Sequence, residues 1–360
     1  MWPLVSIETQ GRQHLPADGP LVVVANHTNV LDPITVCIAA VRPLIWVGTR
    51  TLLTGPLGRV VAGFGMIPKQ RFAADVTTVR MMKKWLDLGA AVAVFPEGER
   101  SWSGRQLPLV PGVERLVRMM QCPVIRARCH NTYLQWPRWA PRPRRGRVAV
   151  QFSEPRTFER RADPDAMRDW LARGTRVDVR SRPDLRLKGR SLATGLTNVV
   201  FVCPQCQEEG HMVEHGEQIE CRRCSSRFTV DLGAQLMRQG DDPLDLGDWM
   251  TQTQRICIDR LPADGPLLKT PEPVEWMQHG EPGTKPTAIA RGILVLYRDR
   301  LAVEADGRTL FTLDLTDIAN MNIEYRHSLE LRTADRFFTA LITSGSAWRW
   351  PWTVRAVQAG

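Results

Sequence analysis

Leu21-Val22-Val23-Val24-Ala25-Asn26-His27-Thr28-Asn29-Val30-Leu31-Asp32 is the stretch on which the fold turns. Its first five residues are apolar and mostly β-branched, which predicts a buried strand, and the run stops at a polar pair, Asn26 and His27. Strands that deliver polar groups at their carboxyl ends are where α/β sheets keep their chemistry. Asp32 follows His27 by five residues with Pro33 behind it, so a first helical turn can fold the carboxylate back toward the imidazole. Histidine titrates near neutral pH, and an aspartate fixes its tautomer and stabilises the imidazolium that forms when it takes a proton. A capped helix start is the plainer alternative. None of the other six histidines has Asp five residues on.

A second run, Ala90-Ala91-Val92-Ala93-Val94-Phe95, repeats the buried-strand pattern and ends in the charged turn Pro96-Glu97-Gly98-Glu99-Arg100-Ser101. Two apolar strands that each end in charged residues point to one shared site at the sheet edge. Gly98 permits close backbone approach, and the Arg100 guanidinium suits phosphate oxygens. Glu97 has a structural alternative, an ion pair with a nearby arginine that holds the loop.

Four blocks now stand in order: residues 26–32, Gly65-Met66-Ile67-Pro68-Lys69-Gln70-Arg71, residues 95–101, and Cys122-Pro123-Val124-Ile125. In order and spacing they resemble the motif blocks of the glycerolipid acyltransferase family, whose best-known members are the lysophosphatidic acid (1-acyl-sn-glycerol-3-phosphate) acyltransferases. The resemblance covers residues 8–160. It implies His27 and Asp32 as the catalytic pair, Arg71 as a contact to the acceptor's phosphate, and Glu97 and Gly98 as part of the acceptor-binding turn beside Arg100. It also implies an acyl-CoA or acyl-ACP donor, a lysophospholipid acceptor, and a role in phospholipid biosynthesis. Glu99 stands where the family usually has Thr, and the N-terminus, where many members have additional membrane-binding helices, is a second departure that leaves the mode of membrane attachment open.

Charge divides the chain. Residues 1–192 hold 31 Lys and Arg against 15 Asp and Glu, while residues 193–360 hold 17 against 23. Only the first half is suited to a polyanion, and an anionic membrane surface or nucleic acid would both satisfy it. Residues 133–147 set Trp136 and Trp139 among five arginines, a composition that suits a lipid interface, an RNA grip or a solvated loop. The upstream blocks favour lipid. Residues 50–67 mix an apolar helix face with Arg50 and Arg59, which suits a membrane surface, an acyl-chain groove or the core. No apolar run reaches about 18 residues and no signal peptide is evident, so the expectation is a cytoplasmic protein, peripheral on the inner face of the cell membrane.

The expected organisation is an α/β acyltransferase domain over 1–192, a central mixed sheet flanked by helices, followed by smaller units. Cys203 and Cys206, then Cys221 and Cys224, form two knuckles at the spacing of a zinc ribbon over 199–231. Four thiolates leave a zinc ion no open position, so its role there is structural. Acidic and Pro-rich stretches make 232–285 read as linker, with a helix over 248–258. Residues 286–360, with a period-two pattern from Arg291, an Asp306-Gly307 hairpin turn and a Trp-rich tail, weakly resemble a pleckstrin-homology-like β domain with a closing helix. The competing function is a catalytically silent lipid-binding scaffold that uses the ribbon and the β domain. A nucleic-acid binder does not account for the four blocks.

Overall fold

The computed structural model describes residues 5–49, 63, 65–69, 76–182, 184–238, 242–280, 284–324 and 326–359. Arg71 and residues 50–62, with the apolar face read there, lie outside the described residues. The chain divides into two compact units, one of Met1–Arg138 with Arg142–Gly189, the other of Trp139–Pro141 with Arg190–Gly360.

In the first unit the strands are β1 (Val5–Gln10), β2 (Leu21–Ala25), β3 (Leu44–Thr49), β4 (Met66–Lys69), β5 (Ala91–Val94), β6 (Val124–His130), β7 (Arg145–Phe152) and β8 (Leu187–Lys188). The helices are α1 (Asp32–Ala40), α2 (Val76–Asp87), α3 (Val113–Met120), α4 (Thr132–Gln135) and α5 (Pro164–Thr175). The sheet runs β1-β7-β6-β2-β5-β3-β4, with β8 added to β7. It is mixed: β2 is parallel to both β5 and β6, whereas β6 and β7 are antiparallel.

Both central strands are buried along their whole length, because alternate side chains feed two cores. Val22, Val24, Val92 and Val94 face Met82 and Leu86 of α2, Val113 and Val117 of α3, and Leu171 of α5. Leu21, Val23, Ala25, Ala91 and Ala93 face Val36, Ala39 and Ala40 of α1. Each such valine or leucine contributes about 1.5–3 kcal/mol by leaving water, and the two-sided burial is what fixes β2 at the centre. Helix α2 stops where Gly89, at φ 79°, turns its N–H to the Leu86 carbonyl. On α2, Met82 and Leu86 are buried while Val76 and Trp85 are exposed.

The second unit contains β9 (Met212–His215), β10 (Gln218–Cys221), β11 (Arg227–Val230), β12 (Gln235–Met237) and β13 (Leu244–Asp245), an antiparallel sheet in the order β13-β12-β11-β10-β9. Helix α6 (Leu246–Asp259) follows, then β14 (Leu268–Lys269), β15 (Val274–His279), β16 (Thr287–Leu296), β17 (Arg300–Ala305), β18 (Arg308–Asp314), β19 (Asn320–Glu324), β20 (Ser328–Arg332), β21 (Phe337–Leu341) and α7 (Arg349–Gln358). These later strands form an antiparallel sheet in the order β18-β17-β16-β15-β21-β20-β19, with β14 on β16, and α7 packs against β19. Asp306 and Gly307 both take positive φ in the tight β17–β18 turn, as their type predicts. Trp348, Trp350 and Trp352 are buried.

One expectation is corrected. Residues 232–285 are not a linker: they hold β12, β13, α6, β14 and β15, and Trp249 and Trp276 among them are fully buried. Within residues 133–147, whose composition suits a lipid interface, an RNA grip or a solvated loop, Trp139 is completely buried and Arg138 and Arg144 are 6% and 5% exposed. These two guanidinium groups are tolerated inside because they donate to backbone carbonyls, Arg138 Nη1 to Arg100 O and Arg144 Nη1 to Leu134 O. Arg142, Arg145 and Arg147 remain exposed.

Candidate active site

The end of β2 is fastened before any functional group appears. Asn26 Oδ1 accepts the Cys129 N–H at 2.7 Å and Asn26 Nδ2 donates to the Cys129 carbonyl at 3.2 Å, closing the gap to β6. Asn29 Nδ2 donates to the Thr132 carbonyl and to Gln135 Oε1, while Asn29 Oδ1 accepts the Leu31 N–H. The turn between β2 and α1 is thereby gripped by α4 on one side and shaped by its own asparagine on the other.

Within that turn His27 Nδ1 lies 3.1 Å from Asp32 Oδ2. The same oxygen accepts the Thr28 and Asn29 backbone N–H groups, each at 2.7 Å. Asp32 is fully buried in the first turn of α1, where the helix dipole favours an anion. With Nδ1–H turned to the carboxylate, Nε2 is the nitrogen left to meet a substrate, and 17% of the His27 side chain is exposed. The imidazole is stacked on Phe95 at 3.8 Å with 9° between planes, and Phe95 on Trp46 at 4.5 Å. Burial lowers the proton affinity of His27; Asp32 works against that shift, and the positive charges of Arg100 and Arg138 reinforce it. A lowered proton affinity favours the neutral imidazole, the form a base needs.

The second charged turn is tied to the first through the backbone of His27 itself. The His27 N–H donates to Glu97 Oε1 at 3.1 Å, and the His27 carbonyl accepts the Ser101 N–H at 3.1 Å. Glu97 Oε2 accepts the Leu107 N–H at 2.8 Å. Glu97 is 5% exposed, so its carboxylate is a strut between turns, bonded to amides rather than to an arginine. Burial pushes its carboxyl up to about 7, with the two amide donors acting in the opposite direction. Gly98 takes φ 74°, and a Cβ there would come within 2.7 Å of Val110 Cγ2.

The structure thus brings His27, Asp32, Glu97, Gly98 and Arg100 to one edge of the sheet. Sequence reasoning passed over Phe95 and Trp46 as a stacking platform, Asn26 and Asn29 as fasteners, and Arg138 as a charge acting on the base. The two asparagines stood inside the quoted block; Arg138 was concealed among arginines read as surface.

In the second unit the Sγ atoms of Cys203, Cys206, Cys221 and Cys224 all lie within 4.8 Å of one another, a group that could hold a metal ion. The Cys203–Cys224 and Cys206–Cys221 sulfur separations are 3.6 and 3.7 Å. A tetrahedral zinc with Zn–S of about 2.3 Å places its sulfurs roughly 3.8 Å apart, so the donor set fits that ion.

Residues 6–129 match the family model described as Acyltransferase. The 1-acyl-sn-glycerol-3-phosphate acyltransferase alpha of Mus musculus is 30% identical over 130 residues, which cover 34% of this chain and 44% of that protein. The Homo sapiens counterpart is 29% identical over the same shares. The chloroplastic 1-acyl-sn-glycerol-3-phosphate acyltransferase BAT2 of Brassica napus is 27% identical over 35% of this chain and 37% of its own. The chain therefore spans less than half the length of these curated relatives. Among solved structures, the 1-acyl-sn-glycerophosphate acyltransferase PlsC of Thermotoga maritima aligns with a TM-score of 0.42 at 21% identity, over 48% of this chain and 71% of that one.

Proposed function

From the premise that residues 6–129 form an acyltransferase domain like those of the 1-acyl-sn-glycerol-3-phosphate acyltransferases, we propose that this protein moves a fatty acyl group from a CoA or acyl-carrier-protein thioester to the free hydroxyl of a lysophospholipid. The acceptor is lysophosphatidate and the product phosphatidate. His27 Nε2 takes the hydroxyl proton as the oxygen attacks the thioester carbonyl, and Asp32 stabilises the imidazolium. The tetrahedral intermediate collapses by breaking the C–S bond, and the imidazolium returns the proton to the departing thiolate. No acyl-enzyme is formed. Arg100 and Arg71 bind the acceptor's phosphate, while Glu97 and Gly98 shape the turn that presents Arg100.

The observation that carries this reading is the 3.1 Å His27–Asp32 bond at the carboxyl end of β2, locked to the turn of residues 97–101 by both backbone groups of His27. The test is incubation of purified protein with labelled acyl donors and a panel of lysolipids. Labelled phosphatidate is expected, and none from His27→Ala at unchanged thermal stability; near-normal turnover by that variant removes the mechanism.

The four thiols bind a structural zinc ion. The basic first unit meets an anionic membrane surface from the cytoplasmic side. In support, no helix among the described residues is long and apolar enough to cross a membrane, and the basic excess is confined to the first half of the sequence.

A further inference from the structure

Helix α1 departs from the pattern of a surface helix. Such a helix turns an apolar stripe inward and polar side chains outward, and one that is apolar on every side belongs where every side is covered. Between Asn29 and Val41 the polar and charged side chains are Asn29, Asp32 and Thr35, and all three are buried. What faces outward is Val30, Ile34, Ile38 and Val41, at 37%, 43%, 41% and 72% exposure, with Leu31, Pro33 and Cys37 half-buried among them. Spacings of four, four and three residues set the exposed side chains in one row along the helix and its two ends.

Single exposed apolar residues are common, but a row with no polar side chain in it marks a surface that meets something. Its position points to the partner. The row starts in the same turn as His27, and Asp32, in the first turn of α1, holds the imidazole. On the flank of α1, Cys37 Sγ accepts the Trp46 Nε1–H at 3.1 Å, Trp46 stacks on Phe95 and Phe95 on His27, so apolar and aromatic side chains lead from the helix to the base. At the other end Arg12 is exposed and donates its Nε–H to the Ala39 carbonyl at 3.0 Å, which sets a cation beside the last turn, in the half of the sequence that carries the basic excess. Hydrocarbon to receive the row and anionic headgroups to receive the cations belong to one partner, a bilayer surface. A protein partner would call for polar side chains at the rim, and a nine-residue helix, about 14 Å long, is narrower than a stable protein interface.

We propose that the outer face of α1 seats the protein on an anionic bilayer, with Val30, Ile34, Ile38 and Val41 entering the acyl-chain boundary, so that a lysolipid reaches His27 without leaving the membrane. The delivery of a lysolipid rests on the acyltransferase reading; the seating of α1 does not. The test pairs Ile34→Gln with Ile38→Gln in one variant, and Ile34→Leu with Ile38→Leu in a second that keeps the row apolar; both residue types suit a helix. Binding to vesicles of phosphatidylglycerol and phosphatidylcholine is read by sedimentation at low and at high salt, since high salt screens the cations and leaves the apolar contribution. At high salt the Gln variant should bind roughly 10- to 100-fold more weakly than wild type, and the Leu variant like wild type. The Gln variant's kcat/KM should fall on lysophosphatidate held in vesicles and stay unchanged on a short-chain lysophosphatidate dissolved as monomers. Absence of high-salt binding in the wild type, binding that survives the Gln substitutions, or an equal loss in the Gln and Leu variants overturns the proposal. So does a wild-type dimer that the Gln substitutions dissociate while vesicle binding holds, which would make α1 a contact between two copies of the chain. If the wild-type protein acylates no lysolipid, the acyltransferase reading fails, and sedimentation at high salt still decides whether α1 sits in lipid.

Discussion

Asp32 directs one oxygen at three donors, the His27 imidazole and the Thr28 and Asn29 amides. A single-atom change therefore separates geometry from charge. In Asp32→Asn the carboxamide oxygen can still accept the two amides and the Nδ1–H, so the turn keeps its shape while the imidazolium loses its counter-charge. On the pattern of buried His-Asp pairs elsewhere, kcat should fall on the order of 10³- to 10⁴-fold with little change in KM. The pH profile carries a second sign. The folded imidazole already binds its proton less tightly than an ordinary histidine, for which the value is about 6.5, so the acid limb of kcat/KM lies below that pH. Asp32 is the group that raises the affinity, so its neutralisation moves any residual acid limb further down. A limb that moves up, or an Asn variant within tenfold of wild type, would show that Asp32 is not the partner of the base.

At the scale of elements, the turn after β5 is the joint on which the site depends. Gly98 holds φ 74°, and an alanine there meets two penalties, the left-handed backbone and a Cβ 2.7 Å from Val110. Together these are worth about 1–3 kcal/mol. Gly98→Ala should lower the urea midpoint accordingly and reduce turnover by more than that loss implies, because the same turn carries Glu97 and Ser101, which hold the His27 backbone. Adding Val110→Ala removes the contact and leaves the φ strain, so recovery should be partial; full wild-type behaviour of Gly98→Ala would show the turn to be permissive. Strands β2 and β5 were legible in the sequence because both faces are buried and every position is apolar. The His27–Asp32 pair was legible because a helix start folds five residues back onto themselves. The partners of Asn26 and Asn29 were not, since they lie more than a hundred residues away on β6 and α4. Residues 133–147 misled for a different reason. Composition reports charge, whereas Arg138 and Arg144 are admitted to the interior by carbonyl acceptors that only the folded backbone supplies.

At the scale of the whole molecule, the second unit explains why the segment read as linker is folded. Its strands of two or three residues are too short to show periodicity, and what orders them is pairing, of β12 with β11 and β13 and of β14 with β16, together with the packing of β13 on α6. Trp249 of that helix is fully buried, donates its Nε1–H to the Val202 carbonyl at 2.7 Å and lies 4.8 Å from the Phe228 ring. Val202 immediately precedes the first cysteine knuckle and Phe228 follows the second, so α6 is packed on the cysteine-bearing segment. Structural zinc contributes apparent free energies on the order of 10–16 kcal/mol to small metal-ordered domains. The protein should therefore carry one zinc per chain by elemental analysis, and Cys206→Ser should lose it. Without the ion the four thiols repel as they ionise, β10 and β11 loosen, and the Trp249 contact goes with them. Amide hydrogen exchange should quicken through β10, β11 and α6 in the variant or after chelation, while β2 and β5, with cores of their own, keep their protection. Unchanged exchange in metal-free protein would mean that packing around Trp249 orders this unit by itself, and that the four sulfurs bind metal without folding depending on it.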